Sequence, residues 1–514
     1  VSSHDDKSQL RNAGRGGLAL SFAKVYFVIL GLGQQVVLSW LLRDAYGALR
    51  GALSPASVTY NAAVSASVFG MSRAVSQASP DEVQAVIRRG LLVHAGLGAI
   101  LGIGFWCGAG MLGTLLNSAY LVPYFRWLSV VIGAYTVYAA LVGVLNGQRR
   151  FVAQAVMDVI AATLRTIALI VGAYLAARGL LDTAVRDQAV SGAVVGFAVM
   201  SVVMALVCGV YVGVGSRGTT RHSYGRQLHF VLPVMGAQFL LNLLLQADTN
   251  TLRAAATRAA ESVGLPVTQA DLLVGSYNAG QLYAFLPYQL LTAMTFLLFP
   301  LLASAHATGD HGRVKTVVDN GCRVTLLVVG LVVSVTAALP HALLRLVFPP
   351  QFADVGAASM QILSLGMGSL ALFGVFGAIL NGLGKQWLAL VFTALGVLGV
   401  LVLNLALVRG TAFGAQLLVL TATATSVAVA ATCVAAGFAV WSVAKGGVAL
   451  LGLVRVAAAI GVCVAVGRWL SPQGRVTTLL SAAALVLTYL VVLVATRELR
   501  ASDWRAIRVL TRRQ

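Results

Sequence analysis

The chain has 514 residues, of which 59% are hydrophobic and only 10% charged, and it carries a net charge of +20. Soluble domains carry about 25% charged residues, so a water-soluble globular fold is excluded and an all-α polytopic membrane protein is expected. The positive charge does not indicate nucleic-acid binding, because Lys and Arg are spread over loop after loop with no zinc-finger spacing or basic helix.

A membrane span needs about 20 apolar residues. About fourteen such stretches follow one another: 16–42, 52–72, 90–112, 121–146, 151–177, 189–213, 228–252, 276–304, 318–340, 355–381, 387–408, 412–440, 447–467 and 476–496. Residues before the first are polar, and no cleavable signal peptide is expected. Span 1 carries Lys24 and Gln35, eleven residues or about three turns apart and hence on one face. Span 2 continues this polarity with Arg50, Ser54, Ser57, Asn61 and Ser65, at steps of four, three, four and four; Tyr60 precedes the asparagine. Span 4 ends in Leu145-Asn146-Gly147, followed by Gln148, Arg149 and Arg150. Span 5 holds Asp158 and Arg165, seven apart on one face, a spacing that suits a structural pair.

Residues 214–227 are rich in Gly, Arg and Ser and read as a cytoplasmic linker. In span 7, Gln238, Asn242 and Gln246 recur every fourth residue, followed by Asp248, Thr249, Asn250 and Arg253. Span 8 places Tyr277, Gln281, Tyr288, Thr292 and Thr295 on one face. Span 10 ends in Leu380-Asn381-Gly382, and later spans lack comparable stripes. The five cysteines are isolated, so neither a disulfide nor a metal pattern is read.

Two positional echoes suggest an internal repeat. Tyr60-Asn61-Ala62 and Tyr277-Asn278-Ala279 lie in spans 2 and 8; the Leu-Asn-Gly exits close spans 4 and 10. An even offset of six spans gives parallel copies related by an axis along the membrane normal. The expected organisation is therefore two pseudo-symmetric six-helix bundles, 1–213 and 228–440, joined by the linker 214–227. Two extra helices and a basic tail make up 441–514. With both termini cytoplasmic, Lys and Arg favour the inside by roughly two to one.

Polar side chains in a span must face other helices or a water-filled path. The stripes fall on spans 1, 2, 7 and 8, one helix pair per half, and imply a polar path. Lys24 either lines that path or snorkels to the interface. Asp248 either pairs with Arg253 or holds a coupling cation, and Asp158 is the other cation candidate. Within the spans, Lys24, Arg165 and Arg455 stand against Asp158 and Asp248, with Arg50 and Arg253 near the outer mouth; this cationic excess suits an anionic, phosphorylated ligand, although Arg455 equally reads as a snorkelling residue of an appended helix. No phosphate-cradling loop, zinc helix or nucleophile elbow is present, so no enzymatic activity is expected.

Three short segments carry a family resemblance. Leu41-Leu42-Arg43-Asp44-Ala45-Tyr46-Gly47 resembles the signature after the first span of polysaccharide repeat-unit flippases. Pro233 with Gln246-Ala247-Asp248 is similar to the segment opening their second half, and Leu298-Phe299-Pro300-Leu301 to the end of their eighth span. The resemblance is to O-antigen-type flippases of the multidrug/oligosaccharidyl-lipid/polysaccharide exporter superfamily. It implies two bundles around a central cavity and translocation of undecaprenyl-pyrophosphate-linked oligosaccharide across the bacterial inner membrane. It also implies a proton or sodium gradient instead of a cofactor. Expected partners are the lipid-linked substrate, membrane lipids, a polysaccharide polymerase and chain-length proteins, with no nucleic acid. In the mechanism expected from these stripes, Lys24, Arg50, Arg165 and Arg253 hold the pyrophosphate. Asn61, Gln238, Asn242, Gln246 and Gln281 would meet sugar hydroxyls, and Tyr60, Tyr277 and Tyr288 would stack on sugar rings. A lipid II flippase and a small-molecule exporter of the same superfamily are the alternatives. The chain lacks the Pro-Asn-rich, Arg-bearing second span of the former, since Tyr60-Asn61 is followed by Ala-Ala-Val.

Overall fold

The computed structural model describes residues 26–179, 188–218, 220 and 223–499, and these are almost entirely helical. In a bilayer every backbone group must be satisfied within its own segment, which leaves the helix as the form these apolar runs can take. The chain divides into two compact units at Gly275 and Ser276.

The first unit holds α1 (26–42), α2 (Tyr46–Ser76), α3 (Val83–Leu115), α4 (Val122–Gly147), α5 (Phe151–Ala177), α6 (Gln188–Val212) and α7 (Tyr224–Ser262). It also holds the start of α8 (Gln269–Ala284). Helix α2 packs on α4 and α7, α5 on α6, and α3 on α4. The chain turns from α1 into α2 at Arg43, where φ is +48°. Close contact between α5 and α6 depends on missing side chains: a Cβ on Gly172 would stand 2.2 Å from the Gly192 carbonyl oxygen, and one on Gly192 2.2 Å from that of Gly172.

The second unit continues with α9 (Leu286–Ala307), α10 (His311–Ala338), α11 (Pro340–Val347) and α12 (Pro350–Gly382). It ends with α13 (Gln386–Val408), α14 (Ala415–Ala444), α15 (Leu450–Leu470) and α16 (Arg475–Ala495). Here α12 packs on α9 and α14, and α10 packs on α12 and α15. Helix starts carry Ser223 and Asp310 caps, whose side chains accept from Arg226 N and Arg313 N.

Among the described residues, twelve helical stretches are long and apolar enough to cross a membrane. One of them, Tyr26–Ser76, runs for 51 residues. At about 1.5 Å per residue that is more than twice a hydrocarbon core of about 30 Å, and it contains spans 1 and 2. The eighth expected span is broken at Phe285 into α8 and α9, with Pro287 in the first turn of α9. The short helix α11 was not foreseen by the span reading. Ile100, Ile103, Leu206, Leu480 and Val491 are exposed, as expected of a surface solvated by lipid. The result is an all-α polytopic membrane protein.

Candidate functional site

The polar stripe of α2 lines a cavity of about 200 Å³ within the first unit. Arg50, Ser54, Ser57, Tyr60 and Asn61 come from α2, Gln34 and Gln35 from α1, Arg165 from α5 and Gln246 from α7. The steps of three and four put the α2 groups on one face, and the packing of α7 against α2 brings Gln246 to that face. Phe197 of α6 completes an aromatic wall with Tyr60, their ring centres 6.2 Å apart. Tyr135 of α4 closes the cluster, 6.2 Å from Tyr60 and 5.7 Å from Phe197.

The hydrogen bonds give the cavity a chemical sign. Ser54 Oγ donates to Gln246 Oε1 at 2.9 Å, Thr166 Oγ1 donates to Gln34 Oε1 at 2.8 Å, and the Tyr46 hydroxyl donates to Gln35 Oε1. Each glutamine uses its carbonyl on the protein, and its NH₂ has no protein partner among the described residues. Those groups only donate. Arg50 and Arg165 add guanidinium donors, and among the described residues no carboxylate lines the cavity. Arg165 Nε is buried without a hydrogen-bond partner, and Arg165 has no carboxylate partner among the described residues. A cavity of this kind suits an acceptor-rich, anionic ligand.

Asp158 does not pair with Arg165, correcting the expected structural pair. Its Oδ1 accepts from the Tyr138 hydroxyl at 3.1 Å. Nearby, Ser72 Oγ donates to Asn146 Oδ1 at 2.7 Å and Asn146 Nδ2 donates to Gln154 Oε1 at 2.9 Å, tying α2, α4 and α5 together. The Leu-Asn-Gly exit of span 4 thus owes its asparagine to interhelical bonding.

Arg253 lies apart from the cavity. It is fully buried and ion-paired with Asp271; its Nη2 donates to the Tyr120 hydroxyl at 2.7 Å, and that hydroxyl donates to Asp271 Oδ1 at 2.7 Å. The partner is Asp271, not Asp248. Gly51 of α2 makes the room, since a Cβ there would stand 2.9 Å from Arg253 Nε. Asp248 is also buried, and its Oδ1 accepts from Thr249 N at 2.7 Å. Along α7, Asn242 Nδ2 donates to the Gln238 carbonyl at 2.8 Å, satisfying part of the stripe within its own helix.

The structure therefore brings Arg50, Tyr60, Asn61, Arg165 and Gln246 together. Tyr277 and Gln281 are buried in the second unit and Tyr288 is partly buried there. Lys24 lies outside the described residues, as do the side chains of Thr292 and Thr295. Gln34, Tyr120, Tyr135 and Asp271 escaped the sequence reading. Gln34 shared a dipeptide with a residue already singled out, whereas the others sit in segments with no polar periodicity.

Two compact units of long apolar helices, with a donor-lined cavity inside the first, define the class: a polytopic helical membrane protein with an internal polar site. Its fold is shared with solved membrane proteins. One is the lipid II flippase MurJ in an inward closed conformation, with TM-score 0.73 and 13% identity, covering 94% of this chain and 99% of that one. Another is an outward-facing multidrug resistance MATE family transporter of the MOP superfamily, with TM-score 0.57, 13% identity and coverage of 88% and 96%. An inward-facing transporter of the same description gives 0.56 and 13%, covering 83% of this chain and 95% of that one. No protein-family model matches the sequence, and no curated protein matches it.

Proposed function

We propose that the protein is a flippase for polyprenyl-pyrophosphate-linked oligosaccharide in the bacterial inner membrane, serving surface polysaccharide synthesis by ion-coupled alternating access. The observation that carries this reading is the cavity of about 200 Å³ lined by two arginines, amide donors and hydroxyls, with no carboxylate among the described residues. A pyrophosphate offers only acceptors, and guanidinium groups in a dry site bind it in charge-assisted bonds. Arg50 and Arg165 take that role, with Lys24 as a further cation of the path. Asn61 and Gln246 meet sugar hydroxyls together with Gln238, Asn242 and Gln281. Tyr60, Tyr277 and Tyr288 stack on sugar rings, and Asp248 or Asp158 holds the coupled cation. Both termini are cytoplasmic in this reading, and a polymerase and chain-length proteins act downstream.

Lipid II is the second reading. It is favoured by the MurJ likeness, which scores 0.73 against 0.57 and 0.56 for the two MATE structures described above. Both readings share the polyprenyl pyrophosphate and differ in the sugar. Export of cationic small molecules is disfavoured, because this cavity offers such a ligand no counter-charge.

The experiment is a leaflet assay on inner-membrane vesicles from cells with and without the gene. Accumulation of undecaprenyl-pyrophosphate oligosaccharide on the cytoplasmic leaflet, with loss of a surface polymer, supports the first reading. Accumulation of the peptidoglycan precursor supports the second. An unchanged distribution of both, in a strain with no redundant flippase, refutes the flippase reading.

A further inference from the structure

His94 of α3 is fully buried where α2, α3 and α7 meet. The side chain of Gln227, in the first turns of α7, lies with its Nε2 3.0 Å from His94 Nε2. An NH₂ group only donates, so the ring nitrogen accepts and the ring proton sits on Nδ1. Nδ1 is itself buried without a hydrogen-bond partner. Gln227 Nε2 also approaches Met71 Sδ of α2 at 3.4 Å.

A second proton on this ring would set an N–H against the Gln227 NH₂. The amide would have to turn over and give up Met71, and an imidazolium would be buried with no counter-charge. Among the described residues, the surroundings offer none. Gly70 of α2 would carry a Cβ 3.5 Å from the ring, and Thr136 of α4, a turn further along α3 beside Gly98, bonds its own backbone. Arg73 of α2 lies over the Phe230 ring, Arg89 of α3 donates to the Thr220 carbonyl, and Glu82 and Arg226 line a separate cavity.

That second cavity, about 480 Å³, lies toward the start of α3. It reaches Val86 of α3, which is eight residues or about 12 Å before His94 on the same helix face. Between them, Gly90 leaves space in which Met71 Sδ and Gln227 Nε2 sit, 2.3 and 3.2 Å from where a Cβ would stand. Met71 and Gln227 thus fill the space between Val86 and the ring.

We propose that His94 is a proton-binding site of this protein, and that proton uptake there releases the first turns of α7 from α3. The packed arrangement holds a neutral ring; an arrangement in which Gln227 has withdrawn admits water and holds a charged one. The proton comes from solvent onto the Nε2 lone pair and returns to solvent on repacking. The two arrangements then differ in proton affinity, which is what allows a proton gradient to bias their populations. The sign follows: the released arrangement binds more protons, so acid favours it. The inference rests on the gradient-driven flippase reading only in making this proton a coupled cation in addition to the one assigned above to Asp248 or Asp158.

The test is hydrogen–deuterium exchange of residues 224–232 in the full chain in nanodiscs, from about pH 5 to about pH 8 and corrected for intrinsic rates. Wild type is expected to lose protection at the acid end by about tenfold or more, and His94→Gln to stay protected throughout. Gln227→Glu, which gives the imidazolium a counter-charge in the packed arrangement, is expected to abolish the acid loss of protection or move it to lower pH. Flat wild-type exchange, or an unmoved transition in Gln227→Glu, overturns the proposal. In proteoliposomes with tagged undecaprenyl-pyrophosphate N-acetylglucosamine as probe, a pH gradient should drive transfer in wild type and not in His94→Gln. Equal gradient-driven transfer in both overturns His94 as the coupling site and leaves the flippase reading intact. Absence of transfer in wild type counts against the flippase reading, while the exchange result still decides the proton site.

Discussion

Arg165 and Arg253 carry the same guanidinium on apolar helices and differ in what surrounds it. Arg253 is enclosed by Asp271, Tyr120 and the notch at Gly51, so it ties α7 to the segment that follows. Arg165 faces a cavity with no carboxylate beside it among the described residues, and its charge is left for a ligand. Loss of a charge-assisted bond costs about 2 kcal/mol. Arg165→Ala is therefore expected to slow transfer of the lipid-linked probe by roughly thirtyfold, with normal amounts of protein in the membrane; Arg165→Lys should retain part of the rate. Gln246→Glu tests the sign of the cavity. A carboxylate among donors repels an anionic head group, so its transfer rate should fall below that of Gln246→Ala. Equal rates in these two variants would argue against an anionic ligand at this site.

At the scale of helices, close approach and buried charge do the joining. The Gly172–Gly192 contact leaves no space for a side chain, and Gly172→Leu is expected to cost about 3 kcal/mol by overpacking. Thermal unfolding in detergent would show this as a lowered midpoint. Helix α15 is tied to α10 through the chain after α16. Arg455 Nη1 donates to Glu498 Oε2 at 2.9 Å, and Arg323 Nε donates to Glu498 Oε1 at 3.3 Å. The arginine side chains are about a quarter exposed, 26% and 28%, so solvent screens part of the attraction. Glu498→Gln should cost about 2 kcal/mol after that discount. The expected readout is faster proteolysis near the end of α16 with the first unit unaffected. Arg455 is thereby a structural cation of the added helices, a role its place in span 13 did not disclose.

For the whole molecule, the loop charges predict the direction of threading. The residues around Arg149 and Arg150 should face the cytoplasm and the turn after α7 the outside. Cysteines at Gln148 and Ser262, in a background with Cys107, Cys208, Cys322, Cys433 and Cys463 replaced, should therefore label from opposite sides of the membrane. Labelling of both from the same side would reject the orientation. The compact units divide at Gly275 and Ser276, whereas the sequence echoes begin a second copy at span 7. A repeat in sequence is a statement about corresponding helices. Packing is decided by which helix offers a complementary face, and α7 finds one on α2.

The sequence by itself determined the membrane class, the fourteen apolar stretches and the polar face of α2. Hydropathy and helical period are local properties, and a bilayer leaves an apolar run little choice but a helix. Only the tertiary structure decided which polar residues keep company. Asp271 and Tyr120 claim Arg253, Tyr138 claims Asp158, and His94 meets Gln227 across 133 positions of chain. Such pairings depend on the separation and rotation of helices distant in sequence. No spacing within one helix carries that information.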